Sequence, residues 1–167
     1  MKTQVAIIGG GPSGLLLSQL LHTRGIDSVV LERKTKDYVL GRIRAGVLEQ
    51  GLVALMEKAG CADRLHAEGI PHEGTWISYG DEMFRVDFTE HTGKLVMVYG
   101  QTELTSDLYK AREESGGKFE FNVEDVAIHS ADTDAPHIDY IVAGEARRLD
   151  CDFIAGCDGF HGVSRQS

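Results

Sequence analysis

Six residues, Gly9-Gly10-Gly11-Pro12-Ser13-Gly14, constrain this chain more than any other stretch. They have the spacing Gly-x-Gly-x-x-Gly. They stand between a short apolar run, Gln4 to Gly9, and a segment with leucines at 15, 16, 17, 20 and 21. An unbroken apolar run of this kind reads as a strand buried on both faces, as in a parallel sheet. The leucines give a helix over Ser13 to Thr23 its buried face, and Gly25 ends it. A second strand runs from Ser28 to Leu31 and closes at Glu32. In such a strand, helix, strand unit, Gly9 permits the tight turn, Gly11 lets a pyrophosphate approach the backbone, and Gly14 lets the helix pack close to the strand. The helix N-terminus offers N–H groups and the positive end of its dipole, and Ser13 can add a hydroxyl. Glu32 lies near the offset expected of an acid that accepts ribose hydroxyls, and its charge disfavours a 2′-phosphate. The first site therefore suits the adenosine half of NAD or FAD.

The rest of the chain narrows that choice. Gly46 to Lys58 reads as a helix with Val47, Leu48, Leu52, Val53, Leu55 and Met56 as its apolar face. Extended stretches near His72–Tyr79, Met83–Phe88 and Leu95–Tyr99, with turns at Gly80-Asp81 and His91-Thr92-Gly93, suggest an antiparallel meander in place of a second crossover. Gln101 to Glu114 reads as a helix with Leu104, Leu108 and Ala111 inward. Strands are expected at Lys118–Phe121, Val126–His129, Ile138–Val142 and Asp152–Ala155. The fold class is α/β: a Rossmann-like domain with a parallel sheet and an antiparallel β-meander. A chain of 167 residues fits one domain, and 42% hydrophobic with 26% charged residues is ordinary for a soluble one. An NAD dehydrogenase would continue with further crossovers, which this pattern lacks.

The net charge of −9 argues against nucleic acid and anionic membranes as partners. Locally the sign reverses: Arg33, Lys34, Lys36, Arg42 and Arg44 face only Asp37 between positions 33 and 44. The three cysteines form no CxxC pair and point to a reducing compartment. With no membrane-length apolar run and no signal-peptide layout, the expected location is the cytoplasm. The histidines show no HExxH or other ligand spacing, so no metal site is expected. There is no Gly-x-Ser-x-Gly elbow and no cysteine–histidine signature, which suits an enzyme whose cofactor carries the chemistry.

Five segments taken together resemble a known family. They are Gly9 to Gly14, Glu32-Arg33, Gly41-Arg42-Ile43-Arg44-Ala45-Gly46, Tyr99-Gly100-Gln101-Thr102-Glu103, and Cys157-Asp158-Gly159 through Arg165. In that order, over essentially the whole chain, they resemble the para-hydroxybenzoate hydroxylase family of single-component FAD-dependent aromatic hydroxylases. The Asp-Gly segment marks the wider class, and the GRIRAG and YGQTE segments mark this member. Phenol and salicylate hydroxylases are the near alternatives, and a truncated FAD-binding module without turnover is another.

The resemblance implies FAD contacts at Ser13, Glu32, Arg33, Arg42, Arg44, Val47 and Gln101, with Asp158 on the ribityl chain. It implies NADPH (or NADH) as a transient electron donor held on the surface by Arg33, Lys34, Tyr38, Arg42, Arg44, His161 and Arg165. It implies a small aromatic acid as substrate, and it allows a homodimer of the intact protein. Residues 1–167 would be the FAD-binding part of a longer chain whose substrate-binding portion lies beyond Ser167. Such a fragment would hold FAD weakly or not at all, and would lack activity.

Overall fold

The computed structural model describes Met1 to Gln166. The chain divides into two compact units, Met1–Arg42 with Thr105–Ser167, and Ile43–Leu104. The first begins with β1 (Val5–Ile8), α1 (Pro12–His22), β2 (Ser28–Glu32) and the short α2 (Lys36–Leu40). The second holds β3 (Val47–Glu49), α3 (Gln50–Lys58), α4 (Asp63–Glu68), β4 (Ile70–His72), β5 (Gly74–Tyr79), β6 (Glu82–Asp87), α5 (Phe88–Thr92) and β7 (Val96–Val98). Helix α6 (Gln101–Glu114) returns the chain to the first unit. There it continues as β8 (Lys118–Phe121), β9 (Glu124–His129), β10 (His137–Val142), β11 (Glu145–Asp150), β12 (Phe153–Gly156) and a 3₁₀ turn (Val163–Arg165).

The first unit is built on a four-stranded parallel sheet in the order β12-β1-β2-β8. Every residue of β1 and β2 is buried, as the unbroken apolar run implied. Because strand side chains alternate in direction, the two faces take different partners. Val5, Ile7 and Val30 pack with Leu17 and Leu21 of α1. Ala6, Ile8, Val29 and Leu31 pack with Ile138, Tyr140 and Leu149 of a second, antiparallel sheet, β11-β10-β9. Within α1, Leu15 and Leu16 are buried. Leu17, Leu20 and Leu21 are only partly so, and Gly14, Ser18 and Gln19 take the remaining buried positions. The helix ends as its sequence suggested. Gly25 has φ +70°, and the N–H groups of Gly25 and Ile26 donate to the carbonyls of His22 (2.9 Å) and Leu21 (3.0 Å).

Two features of the second unit depart from the sequence reading. Gly46 to Lys58 is not one helix: Val47–Glu49 pairs antiparallel with Val96–Val98, and helix begins only at Gln50. Leu48 is buried between exposed Val47 and Glu49, a strand's period of two. A Cβ on Gly46 would overlap the Tyr99 carbonyl oxygen, so glycine is what lets the two segments come this close. The stretches between His72 and Tyr99 are antiparallel as expected, but they belong to two sheets. β5 and β6 form a hairpin, while β7 lies between β3 and β4. The consecutive meander is β9-β10-β11, in the first unit. Among the described residues, no helix is long and apolar enough to cross a membrane.

Candidate functional site

All four parallel strands point the same way, so Ile8, Glu32, Phe121 and Gly156 end at one edge of the sheet. From β1 the chain winds outward through β2 and β8, and β12 returns on the other flank of β1. The strand order therefore reverses between β1 and β12. In open α/β sheets the crevice beyond the carboxyl ends at such a reversal is where ligands bind.

Two motifs far apart in sequence meet at this point. Cys157 N–H donates to the Ile8 carbonyl at 2.7 Å. A Cβ on Gly9 would lie 2.5 Å from the Cys157 carbonyl oxygen and 3.0 Å from the Asp158 nitrogen, and Gly9 itself has φ +109°. The glycine loop and the Asp158-Gly159 turn are thus in backbone contact. Gly14 packs helix against strand as expected, since a Cβ there would overlap the Gly9 carbonyl oxygen. Gly11 is different. It is the N-cap of α1 with an ordinary φ of −79°, and no side chain caps the helix. Among the described residues, nothing lies within 4 Å of where its Cβ would stand. The protein itself gives no reason for glycine here; a ligand brought up to the helix N-terminus does.

Glu32 stands beside that loop and is 8% exposed. Its Oε2 accepts the Gly10 N–H at 2.7 Å and its Oε1 accepts the Lys34 N–H at 2.9 Å. Each oxygen keeps a further acceptor site, enough for two ribose hydroxyls. The Gly10 carbonyl accepts the Tyr109 hydroxyl at 2.8 Å, so the central peptide of the loop is held from both sides. Burial first, then the Glu32 and Glu113 carboxylates, pushes the Tyr109 phenol well above its usual range and keeps it a donor. Tyr109 went unmarked in the sequence. Its only signal is a polar-tipped aromatic next to Leu108 on the inward side of α6. Arg112, one turn on, is also buried: its Nε donates to Ser18 Oγ at 2.9 Å, and Ser18 shares a hydrogen bond with Ser28. Burial lowers the Arg112 pKa.

Asp158 is half-buried, and its Oδ2 accepts the Ser164 N–H at 3.1 Å. A Cβ on Gly162 would overlap that carboxylate, so the turn closes tightly around it. Asp158, Gly159, Ser164 and Arg165 line a cleft of about 380 Å³. The buried Ser164 hydroxyl has no partner among the described residues. Arg165 stacks over the Phe160 ring at 4.1 Å, and Phe160 meets His161 edge-on at 5.0 Å.

The remaining expected residues divide between the units. Arg33 and Arg42 are exposed in the first. Exposed Arg44 and Val47 and half-buried Gln101, the first residue of α6, fall in the second. Within the basic run, Lys36 is engaged by Glu113 at 2.6 Å and lies over Tyr109, and Lys34 lies over Tyr38.

A parallel sheet whose reversal point carries a glycine loop, a ribose-type acid and a second backbone turn defines a dinucleotide-binding fold of the flavoprotein type. The chain belongs to the FAD binding domain family, which matches residues 2–167, and its cofactor is FAD. It is 51% identical to the p-hydroxybenzoate hydroxylase of Acinetobacter baylyi, over 100% of this chain and 41% of that protein. It is 28% identical to a probable NADH-specific resorcinol 4-hydroxylase of Rhodococcus jostii, over 97% of this chain and 32% of that one. The chain thus spans less than half the length of these relatives. The fold matches that of an anhydrotetracycline hydroxylase from Streptomyces rimosus (TM-score 0.84, 23% identity, 99% of this chain and 33% of the other). It also matches that of a p-nitrophenol 4-monooxygenase from Pseudomonas putida (TM-score 0.83, 20% identity, 98% and 43%).

Proposed function

We propose that the intact protein is an FAD-dependent aromatic monooxygenase that converts 4-hydroxybenzoate to 3,4-dihydroxybenzoate with NADPH (or NADH) and O₂. The observation that carries this reading is the 51% identity to a p-hydroxybenzoate hydroxylase across all of this chain. When bound, FAD supplies the redox and oxygen chemistry. The chain's own residues bind and orient it. Gly9 and Gly14 shape the loop, Gly11 would present its backbone and Ser13 its hydroxyl to the pyrophosphate, and Glu32 would accept the adenosine ribose hydroxyls. By resemblance, Arg33, Arg42, Arg44, Val47 and Gln101 are further FAD contacts, and Asp158 contacts the ribityl chain. His161 and Arg165, with Arg33, Lys34, Tyr38, Arg42 and Arg44, are the proposed surface for the nicotinamide cofactor. Charge-assisted bonds to its phosphates would hold it there. For the present chain alone, the proposal is weak FAD binding or none, without turnover. A cytoplasmic location and a homodimer of the intact protein belong to the same reading.

The test is made on the intact protein loaded with FAD. Oxidation of NADPH and of NADH is followed with and without 4-hydroxybenzoate, and the product is identified by mass. The expected result is 3,4-dihydroxybenzoate formed in step with coenzyme oxidation. Turnover of a different phenol, with 4-hydroxybenzoate inert, would overturn the substrate assignment.

A further inference from the structure

The histidines carry no metal-ligand spacing along the chain, yet the β9-β10 ladder assembles a ligand set across it. The register places His137 directly opposite His129, and Asp139, two residues along β10, projects from the same face. The two rings are stacked with centroids 4.9 Å apart, and His129 Nε2 lies 3.3 Å from Asp139 Oδ2. One ligand atom from each of the three lies within 4.8 Å of the others. The neighbouring positions Ile128 and Ile138 pack on the core side of the same ladder, so the three polar residues occupy the outer face.

We propose that His129, His137 and Asp139 bind one divalent first-row transition ion, of the zinc and copper(II) class. Two imidazole nitrogens and one carboxylate oxygen suit these ions, whereas magnesium and calcium call for oxygen ligands throughout. Three protein ligands leave a fourth position for water. A tetrahedral ion with bonds of about 2.1 Å needs its ligand atoms roughly 3.4 Å apart, so the widest separation, at most 4.8 Å, must close by up to about 1.4 Å. His129 and Asp139 are about half exposed at the side chain, and staggered rotations can make that adjustment without disturbing the ladder.

The surroundings support ligation. His137 Nδ1 lies 3.4 Å from the Ala135 carbonyl oxygen, and donation from that nitrogen would leave Nε2 for the ion. Asp139 has Arg148 as its register partner on β11, but that guanidinium turns to Asp150 at 2.8 Å.

Zn²⁺ is titrated into metal-stripped protein by calorimetry, and one equivalent of Cu²⁺ is added for electron paramagnetic resonance. The expected result is one Zn²⁺ per chain and a Cu²⁺ signal split by two imidazole nitrogens. His129→Ala and His137→Ala should each remove one nitrogen and weaken Zn²⁺ binding by roughly tenfold or more. Asp139→Asn should weaken binding while keeping both nitrogens. His91→Ala, a histidine of the other unit, should change nothing. Folding of each variant is checked by circular dichroism, and the three single variants are read independently. Unchanged Zn²⁺ affinity in folded His129→Ala or His137→Ala, or a wild-type Cu²⁺ signal from fewer than two nitrogens, would overturn the proposal.

Discussion

Gly11 and Gly14 are three residues apart and answer to different neighbours. An alanine at 14 would drive its Cβ into the Gly9 carbonyl oxygen, whereas one at 11 would meet no atom of the described residues. Gly14→Ala should therefore destabilise the fold by about 1–3 kcal/mol. Gly11→Ala should leave stability within about 0.5 kcal/mol. Thermal melts of the two variants check the contrast. Tyr109 is the other residue on which the loop depends. Tyr109→Phe leaves the buried Gly10 carbonyl without its donor and should cost about 1–3 kcal/mol. The phenol also sets an alkaline limit. Folding raises its pKa above the unfolded value, so the stability it contributes is complete below about pH 10 and declines as pH rises beyond that. Melts between neutral and alkaline pH should show that decline in the wild type and a shallower one in Tyr109→Phe.

At the scale of elements, the strand, helix, strand start was legible to within about a residue, because its signals are local: an apolar run, a leucine stripe, and glycines at fixed offsets. β3 was not. The partner of Val47–Glu49 is Val96–Val98, and nothing within the segment announces a ladder that closes so far along the chain. β11 was missed for a different reason. Its turn is Ala143-Gly144, with φ of +52° and +78°. A two-residue hairpin turn with both φ positive normally advertises itself as Asn-Gly. Alanine there pays for a left-handed backbone, so Ala143→Asn should raise stability by about 0.5–1 kcal/mol, readable as a higher denaturation midpoint. The proposed metal-ligand set on β9 and β10 was hidden likewise, because register and not sequence spacing brings its residues together.

At the scale of the whole chain, the sequence held both halves of the candidate site but not their meeting. Gly9–Gly14 and Asp158-Gly159 were each legible as motifs. That they touch follows from β12 pairing with β1, which sets the reversal point of the sheet between them. Arg44, Val47 and Gln101 lie in the second unit, and their part in holding FAD remains a proposal that rests on resemblance. The hairpin β5-β6 exposes Trp76, Tyr79, Met83 and Phe84, an unusual apolar surface for two strands alone. The central claim, that FAD enters the crevice at the reversal point with its pyrophosphate against Gly11, is tested most directly by titrating FAD into the intact apoprotein and into its Gly11→Val variant while following flavin fluorescence. The account predicts saturable binding by the wild type that is lost in a variant whose melting temperature is unchanged. Equal binding by the two proteins, or no binding by a folded wild type, would contradict it.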